Sequence, residues 1–148
     1  MGVGALSHML PPVLPTYRRS PVQYMILIYG DEKAWAKMPE AEQGRIYGEY
    51  MEYSKKLAAA GVLKGGASLK EIATASCVKV RNGKAVTTDG PFAETKEQLG
   101  GYYLIDVPDL TAALKYAAQC PGANYGGTCE VRPLGVITDP AGGIAAMQ

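Results

Sequence analysis

The chain has 148 residues, of which 47% are hydrophobic and 20% charged, and its formal net charge is +1. A chain of this length fits one domain with one hydrophobic core. The near-neutral balance argues against nucleic acid or an anionic membrane surface as a partner, and no apolar run reaches the roughly 18 residues that cross a bilayer.

Three regions are expected along the chain. Residues 1–20 are predicted to be an irregular extension without chemistry, because prolines interrupt the segment and its positive charges follow the short apolar stretch instead of preceding it. Residues 21–136 are predicted to form the α+β domain. Residues 137–148, with glycines and small side chains, are expected to be a tail.

The run from Tyr24 to Tyr29 is short and continuously apolar, which predicts a strand buried on both faces. Residues from about 40 to 60 follow a helical period, with acidic residues first and lysines last, as the helix dipole favours. Gly61 stands where a glycine commonly ends a helix, and a short strand is expected at 62–67. The residues predicted to lie on the packed helix face are Ile46, Tyr47, Tyr50, Met51, Ser54, Leu57 and Ala58.

The second half of the domain contains a hairpin, two strands and a helix. Two alternating segments flank Asn82-Gly83, a pair that favours a type I′ hairpin turn. A second buried strand is predicted at 102–105, followed by a helix with Pro108 at its first position. The last strand is predicted at 128–134.

The order strand, helix, strands, helix, strand is that of a ferredoxin-like split βαβ plan with an added hairpin. This α+β fold has an antiparallel sheet with two helices on one face, so its other face is bare. The simplest cover for a bare apolar face is a second copy of the chain. We therefore expect a homodimer with facing sheets, a dimeric α+β barrel.

The cysteines and the histidine restrict the chemistry. Cys77, Cys120 and Cys129 form no CxxC pair and are odd in number, which predicts free packing thiols in a reduced, cytoplasmic protein. His8 is the only histidine and lies in the extension. A metal site built on histidine and a Ser-His or Cys-His nucleophile are therefore not expected. We predict no metal and no cofactor.

Asp89 is the first candidate for a functional residue. Asp89-Gly90-Pro91 predicts a tight turn, because Gly90 tolerates a positive φ and the proline ring fixes φ at Pro91. Two interpretations stay open. Asp89 caps its own turn through backbone N–H groups, or it acts as a general acid or base at the rim of a pocket.

Other polar and aromatic side chains extend this candidate site. Glu94, Lys96 and Glu97 either lie in a solvated loop, with Lys96 paired to a neighbouring carboxylate, or take part in a site. In a site, one carboxylate pairs with Asp89 and Lys96 attracts an anionic substrate group. Tyr102 and Tyr103 alternate along a strand, so only one of them can face a cavity between subunits. Arg132 either holds a carboxylate with two hydrogen bonds or is left to a neighbouring carboxylate and solvent. The candidate ligand-binding residues are Tyr29, Asp89, Phe92, Glu94, Lys96, Tyr102 and Arg132.

The segment from Asp89 to Tyr103 resembles the motif that names the DGPF group of the YCII-related proteins. The likeness covers about residues 23 to 134. Further matching segments are Tyr24 to Asp31, Ala60 to Leu63, Val80 to Lys84, Tyr103 to Asp109, Cys120 to Gly122, and Glu130 to Pro133. The resemblance implies a ferredoxin-like dimer and no established activity.

The resemblance to the wider YCII group implies a catalytic dyad of a histidine and an aspartate. One member of that group is a dehydrochlorinase of chlorinated aromatics. This chain has no histidine in the matching region, so only Asp89 is left as an acidic counterpart. The resemblance to DGPF proteins also implies a link to extracytoplasmic-function sigma factors, because DGPF proteins look like genomic companions or fusion partners of these factors. That association implies regulation or ligand sensing as readily as catalysis.

Three functions stay open, and whether the protein is an enzyme is not decided. The favoured one is a small-molecule-binding homodimer, a sensor whose pocket of tyrosines and Asp89 takes a small anionic or aromatic ligand. The second is a histidine-free lyase or isomerase with Asp89 as base and Lys96 or Arg132 holding an anion. The third is a protein-interaction module in transcription control, with a sigma factor as partner.

Overall fold

The computed structural model describes residues 22–146, so the extension expected at 1–20 lies outside the described residues. A short 3₁₀ turn (Ile72–Thr74) precedes the hairpin. The strands and helices, in chain order, are β1 (Val22–Gly30), α1 (Glu32–Lys37), α2 (Glu40–Ala59), β2 (Leu63–Ser68), β3 (Ser76–Arg81), β4 (Lys84–Asp89), β5 (Gln98–Val107), α3 (Leu110–Ala118), α4 (Pro121–Asn124), β6 (Thr128–Pro133), β7 (Val136–Thr138) and β8 (Ile144–Ala146).

Four of these strands form an antiparallel sheet in the order β2-β5-β1-β6. The apolar strand β1 lies inside the sheet, and its residue Ile26 is opposite Tyr103 of β5 and Val131 of β6. An interior strand that is apolar at successive positions is what burial on both faces of a sheet requires. The prediction of an α+β chain with a mainly antiparallel sheet is confirmed.

One face of this sheet is covered by α2 and α3. Alternate residues of β1 and β5 point toward the two helices, as the two-residue period of a strand dictates. Leu57 of α2, Ala113 of α3, and Ile26 and Ile105 of the sheet have no exposed surface. The complete core cluster consists of Tyr24, Ile26, Tyr53, Leu57, Ile105, Val107, Ala113, Ala117 and Cys120.

The opposite face of the sheet, which we call the open face, carries the other set of alternate residues. Met25 is opposite Leu104 and Arg132, and Leu27 is opposite Tyr102 and Glu130. The apolar members of this face are only half-buried. The open face is defined by Met25, Leu27, Tyr29, Tyr102, Leu104, Glu130 and Arg132.

The predicted hairpin is confirmed as a separate two-stranded ribbon of β3 and β4. Asn82 and Gly83 have φ of 51° and 74°, the positive values that a type I′ turn needs at both central positions. Val78 and Val80 on β3 are 65% and 70% exposed. The ribbon therefore leaves β-branched side chains uncovered.

The predicted packed face of α2 was wrong at three positions, since Tyr47, Met51 and Ala58 are exposed. Tyr47 and Met51 are 58% and 61% exposed, whereas Tyr53, which we did not assign to this face, is buried. The buried stripe passes through Ile46, Tyr53 and Leu57, rotated around the helix from the predicted one. Tyr47 packs instead edge-on against Trp35 of α1, with 5.3 Å between ring centroids.

Helix starts were also less predictable than strands. The prediction of Pro108 as the first residue of α3 was wrong, because Asp109 is the N-cap and its carboxylate accepts a hydrogen bond from the Ala112 N–H at 2.9 Å. Helix α1 was not predicted, although Asp31 caps it in the same way through the Lys33 and Ala34 N–H groups. The short ribbon of β7 and β8 was likewise not predicted.

Three tyrosines pack between α2 and the sheet. The Tyr53 hydroxyl donates to the Tyr116 carbonyl oxygen at 2.8 Å, and the Tyr103 and Ser54 hydroxyls are 2.7 Å apart. The rings of Tyr53 and Tyr103 meet edge to face, with centroids 5.2 Å apart. Burial raises the pKa of Tyr50, Tyr53 and Tyr103 above the ordinary value, because a phenolate is poorly solvated there.

These raised pKa values predict a loss of stability in alkali. Above a pH of about 10 the unfolded tyrosines release protons that the folded ones retain. The stabilising contribution is therefore complete below that pH and is lost as the pH rises further. Urea unfolding at pH about 8 and about 11 should show this fall.

Two conservative substitutions, one at a buried tyrosine and one at an exposed tyrosine, separate the test from its control. Tyr53→Phe should reduce the alkaline loss, because it removes one buried titrating hydroxyl. Tyr47→Phe, at an exposed position of the same helix, should leave the loss unchanged. An equal pH dependence in wild type and Tyr53→Phe would contradict this account of alkaline unfolding.

Candidate functional site

The candidate residues on the sheet lie on the open face. Tyr102 is opposite Leu27 on β1, while its neighbour Tyr103 packs on the helix side of the sheet. The two tyrosine side chains therefore lie on opposite faces, as predicted. Tyr29 pairs with Thr128 of β6. The sheet therefore places the half-buried rings of Tyr29 and Tyr102 on one surface, together with Arg132.

Arg132 is the cation among the residues that define the open face. Its side chain is 71% exposed, and its Nη1 lies 3.9 Å from a carboxylate oxygen of Glu130 on the same strand. Exposed pairs at this distance contribute little free energy. The guanidinium can therefore exchange this contact for a carboxylate presented by a ligand.

Asp89 is the last residue of β4, opposite Ser76, and it is exposed. The turn after it forms as predicted: Gly90 has a φ of 85° and its N–H donates to the Ala75 carbonyl oxygen at 2.7 Å. Within residues 22–146, however, the Asp89 carboxylate accepts no hydrogen bond, not even from its own turn. The turn is held by this backbone bond and by the Cys77 thiol, which donates to the Gly90 carbonyl oxygen at 3.2 Å.

The segment that follows, residues 89–97, is called the Asp89 loop. Phe92 is 87% exposed, and Glu94 and Lys96 are exposed as well. Within the described part of the chain, no ion pair joins Lys96 to a neighbouring carboxylate. The side chains of Asp89, Glu94 and Lys96 are thus free to interact with another molecule.

Hydrogen bonds fix the end of the Asp89 loop beside the open face. A Glu97 carboxylate oxygen accepts from the Thr128 hydroxyl at 3.0 Å, and Thr128 is the residue opposite Tyr29. The next residue, Gln98, donates to the Thr95 carbonyl oxygen and accepts from the Glu32 N–H at 3.0 Å. The loop and Tyr29 therefore share one end of the sheet, whereas no described contact joins Asp89 to Tyr102 or Arg132.

A groove of about 870 Å³ lies elsewhere, between α2 and α4, and was not predicted. Its polar groups bind one another: the Tyr125 hydroxyl donates to Glu49 at 2.6 Å, and Arg45 donates to Glu49 at 3.0 Å and to Tyr125 at 2.9 Å. Because these groups already have partners, the groove is a weaker candidate for a ligand site than the open face.

Within residues 22–146, no cluster of three or more His, Cys, Asp and Glu side chains could hold a metal ion. In the same part of the chain, no helix is long and apolar enough to span a membrane. The three cysteines are free thiols.

Comparison with known proteins identifies the family. The YCII-related domain matches residues 22–136, which include the whole four-stranded sheet, the hairpin and the Asp89 loop. The chain is also 38% identical over 112 residues to an uncharacterized protein of Rhizobium meliloti (strain 1021), covering 75% of this chain and 90% of that relative. The chain belongs to the YCII-related domain family.

Proposed function

We propose that this protein is a homodimer that binds a small anionic or aromatic molecule between two facing sheets and acts as a ligand sensor. The observation that carries the proposal is the open face, where half-buried apolar side chains surround tyrosine rings and an arginine. An extracytoplasmic-function sigma factor is the proposed recipient of the signal, as the resemblance to DGPF proteins implies. A cytoplasmic location agrees with three free thiols.

The sheet order supports a ferredoxin-like plan. Without the hairpin and the short helices, the domain runs β1, α2, β2, β5, α3, β6, and β1 and β5 are the two interior strands of the sheet. Both long helices pack on the same face. Such a two-layer arrangement leaves the second sheet face to water or to another molecule, and a second copy offers an identical apolar face related by a two-fold axis.

The hairpin of β3 and β4 also supports a partner. A two-stranded ribbon is marginally stable in water unless something packs against it. Val86 on β4 is 45% exposed in addition to the valines of β3, and Phe92 beyond it is almost fully exposed. A second protomer that packs against the hairpin would cover these side chains. In such a dimer the Asp89 loop would lie at the rim of the proposed cavity between the two sheets.

The chemistry of the open face defines the ligand class. Tyrosine offers an apolar ring with a polar end and packs well against aromatic groups. Arg132 presents a guanidinium suited to a carboxylate, and among the described residues its ion-pair partner is Glu130 at 3.9 Å. Lys96 in the loop adds a second cation near the rim. A small carboxylate or phenol matches this set of groups.

The enzyme hypothesis has less support. A general acid or base works best where water is excluded and its pKa is matched to the reaction. The Asp89 carboxylate of a single protomer is exposed and lacks any described partner. The interaction-module hypothesis would instead use the uncovered valines of the hairpin, and it becomes the preferred account if no ligand is found.

The dimer predicts the effect of a charge on the open face. Leu27→Lys should convert the protein to a monomer at micromolar concentration, because burying an unpaired ammonium costs several kcal/mol. Leu114→Lys provides the matched control, since Leu114 is 51% exposed on the helix side. Gel filtration with light scattering measures both masses. Equal masses for wild type and both variants would contradict this interface.

The ligand proposal predicts a thermal shift that depends on the Asp89 loop. A ligand at a hundredfold its dissociation constant adds about 2.7 kcal/mol to the free energy of unfolding, which raises Tm by several degrees. Small carboxylates and phenols are the compounds to screen. Asp89→Asn should reduce or abolish the shift while leaving the unliganded Tm close to that of wild type.

A second aspartate serves as the control for that screen. Asp109→Asn keeps the N-cap of α3, because asparagine caps a helix as well as aspartate does, and it should retain the full ligand shift. The absence of any hit for wild type across a broad set would reject ligand sensing. A pull-down of the sigma factor would then test the interaction module.

A further inference from the structure

Both ends of a long excursion from the four-stranded sheet are bonded to one residue, Glu32 of α1. The excursion, residues 73–97, contains the hairpin and the Asp89 loop, and we call it the arm. At its near end, the Ile72 N–H donates to a Glu32 carboxylate oxygen at 2.9 Å. At its far end, the Gln98 side-chain oxygen accepts from the Glu32 N–H at 3.0 Å. Two points that are distant in sequence are thus held at one place in the fold.

The need of backbone N–H groups for acceptors explains why these groups meet. The first N–H groups of a helix have no acceptor within the helix. The Asp31 carboxylate accepts from the second and third N–H groups of α1, and the first, that of Glu32, is left for Gln98. Ile72 begins the 3₁₀ turn, so its N–H has the same need, which the Glu32 carboxylate meets. A charged acceptor makes this bond stronger than a neutral one would.

The arm is held together by its own hydrogen bonds. Strands β3 and β4 pair along their whole length. At their base, the Gly90 N–H donates to the Ala75 carbonyl oxygen, and the Cys77 thiol donates to the Gly90 carbonyl oxygen. Within residues 22–146, by contrast, no hydrogen bond or ion pair joins residues 76–89 to the four-stranded sheet. The position of the arm therefore depends on how its two ends are held.

We propose that Glu32 is the positioning residue of the arm and holds the Asp89 loop at the Tyr29 end of the open face. This inference rests on the proposed function, because the arm carries the loop residues of the candidate ligand site. The far end of the arm has a second tie, between Glu97 and Thr128. At the near end, the Glu32 carboxylate provides the side-chain tie. Without it, the arm can turn about its far end and carry the loop away from the open face.

Amide exchange and backbone relaxation of the full-length protein, measured by NMR without ligand, test the positioning role. In Glu32→Ala we expect the Ile72 amide to exchange about tenfold faster or more, because it loses a bond to a charged acceptor. The amides of the arm should become more mobile, while those of β1 and β5 keep their wild-type values. Glu32→Gln should behave like wild type, because a carboxamide oxygen accepts the same hydrogen bond.

Glu71→Ala is the matched control, because Glu71 is an exposed carboxylate beside the same 3₁₀ turn and its side chain does not cap that turn. It should leave the Ile72 amide and the arm unchanged. If Glu32→Ala does not fold, Gln98→Met removes the other bond to Glu32 and should likewise make the arm more mobile.

Three results would overturn the proposal: an arm as ordered in these variants as in wild type, equal effects of Glu32→Ala and Glu32→Gln, or faster exchange spread evenly over the sheet. The measurement needs no ligand. A failed ligand screen would therefore reject the sensor and leave the test of Glu32 intact.

Discussion

The two-residue alternation of β1 is the constraint on which the rest of the structure depends. This strand lies between β5 and β6, so each of its side chains faces one of two layers. Ile26 and its alternates meet α2 and α3, while Met25 and Leu27 face the other way. Both sets are apolar, and within residues 22–146 the helices cover only one of them. The proposed dimer and the proposed pocket follow from that imbalance.

The strands of the four-stranded sheet and the hairpin turn were predictable because their signals are local. The apolar run of β1 and the Asn82-Gly83 turn need no knowledge of distant residues. The packed face of α2 was less predictable, because Tyr47 and Tyr53 are equally amphipathic and only the tertiary packing of Tyr53 against Tyr103 of the sheet shows which one is buried. The start of α3 was mispredicted because a proline is common at the first position of a helix. In the structure the next residue, Asp109, is the N-cap, and its carboxylate accepts the capping hydrogen bond.

The candidate site was only partly predictable. The alternation of strand residues predicted that Tyr102 and Tyr103 lie on opposite faces of the sheet. No local pattern predicts the distance between Tyr102 and Asp89, because Asp89 lies in the separate hairpin. Long-range neighbours of this kind depend on tertiary packing, which sequence spacing does not encode.

The mass of the wild-type protein in solution tests the central claim most directly. Sedimentation equilibrium at micromolar concentration gives that mass independently of shape. The open face predicts twice the 15.7 kDa of one chain. A stable species with the mass of one chain would contradict the covered open face and the pocket proposed within it.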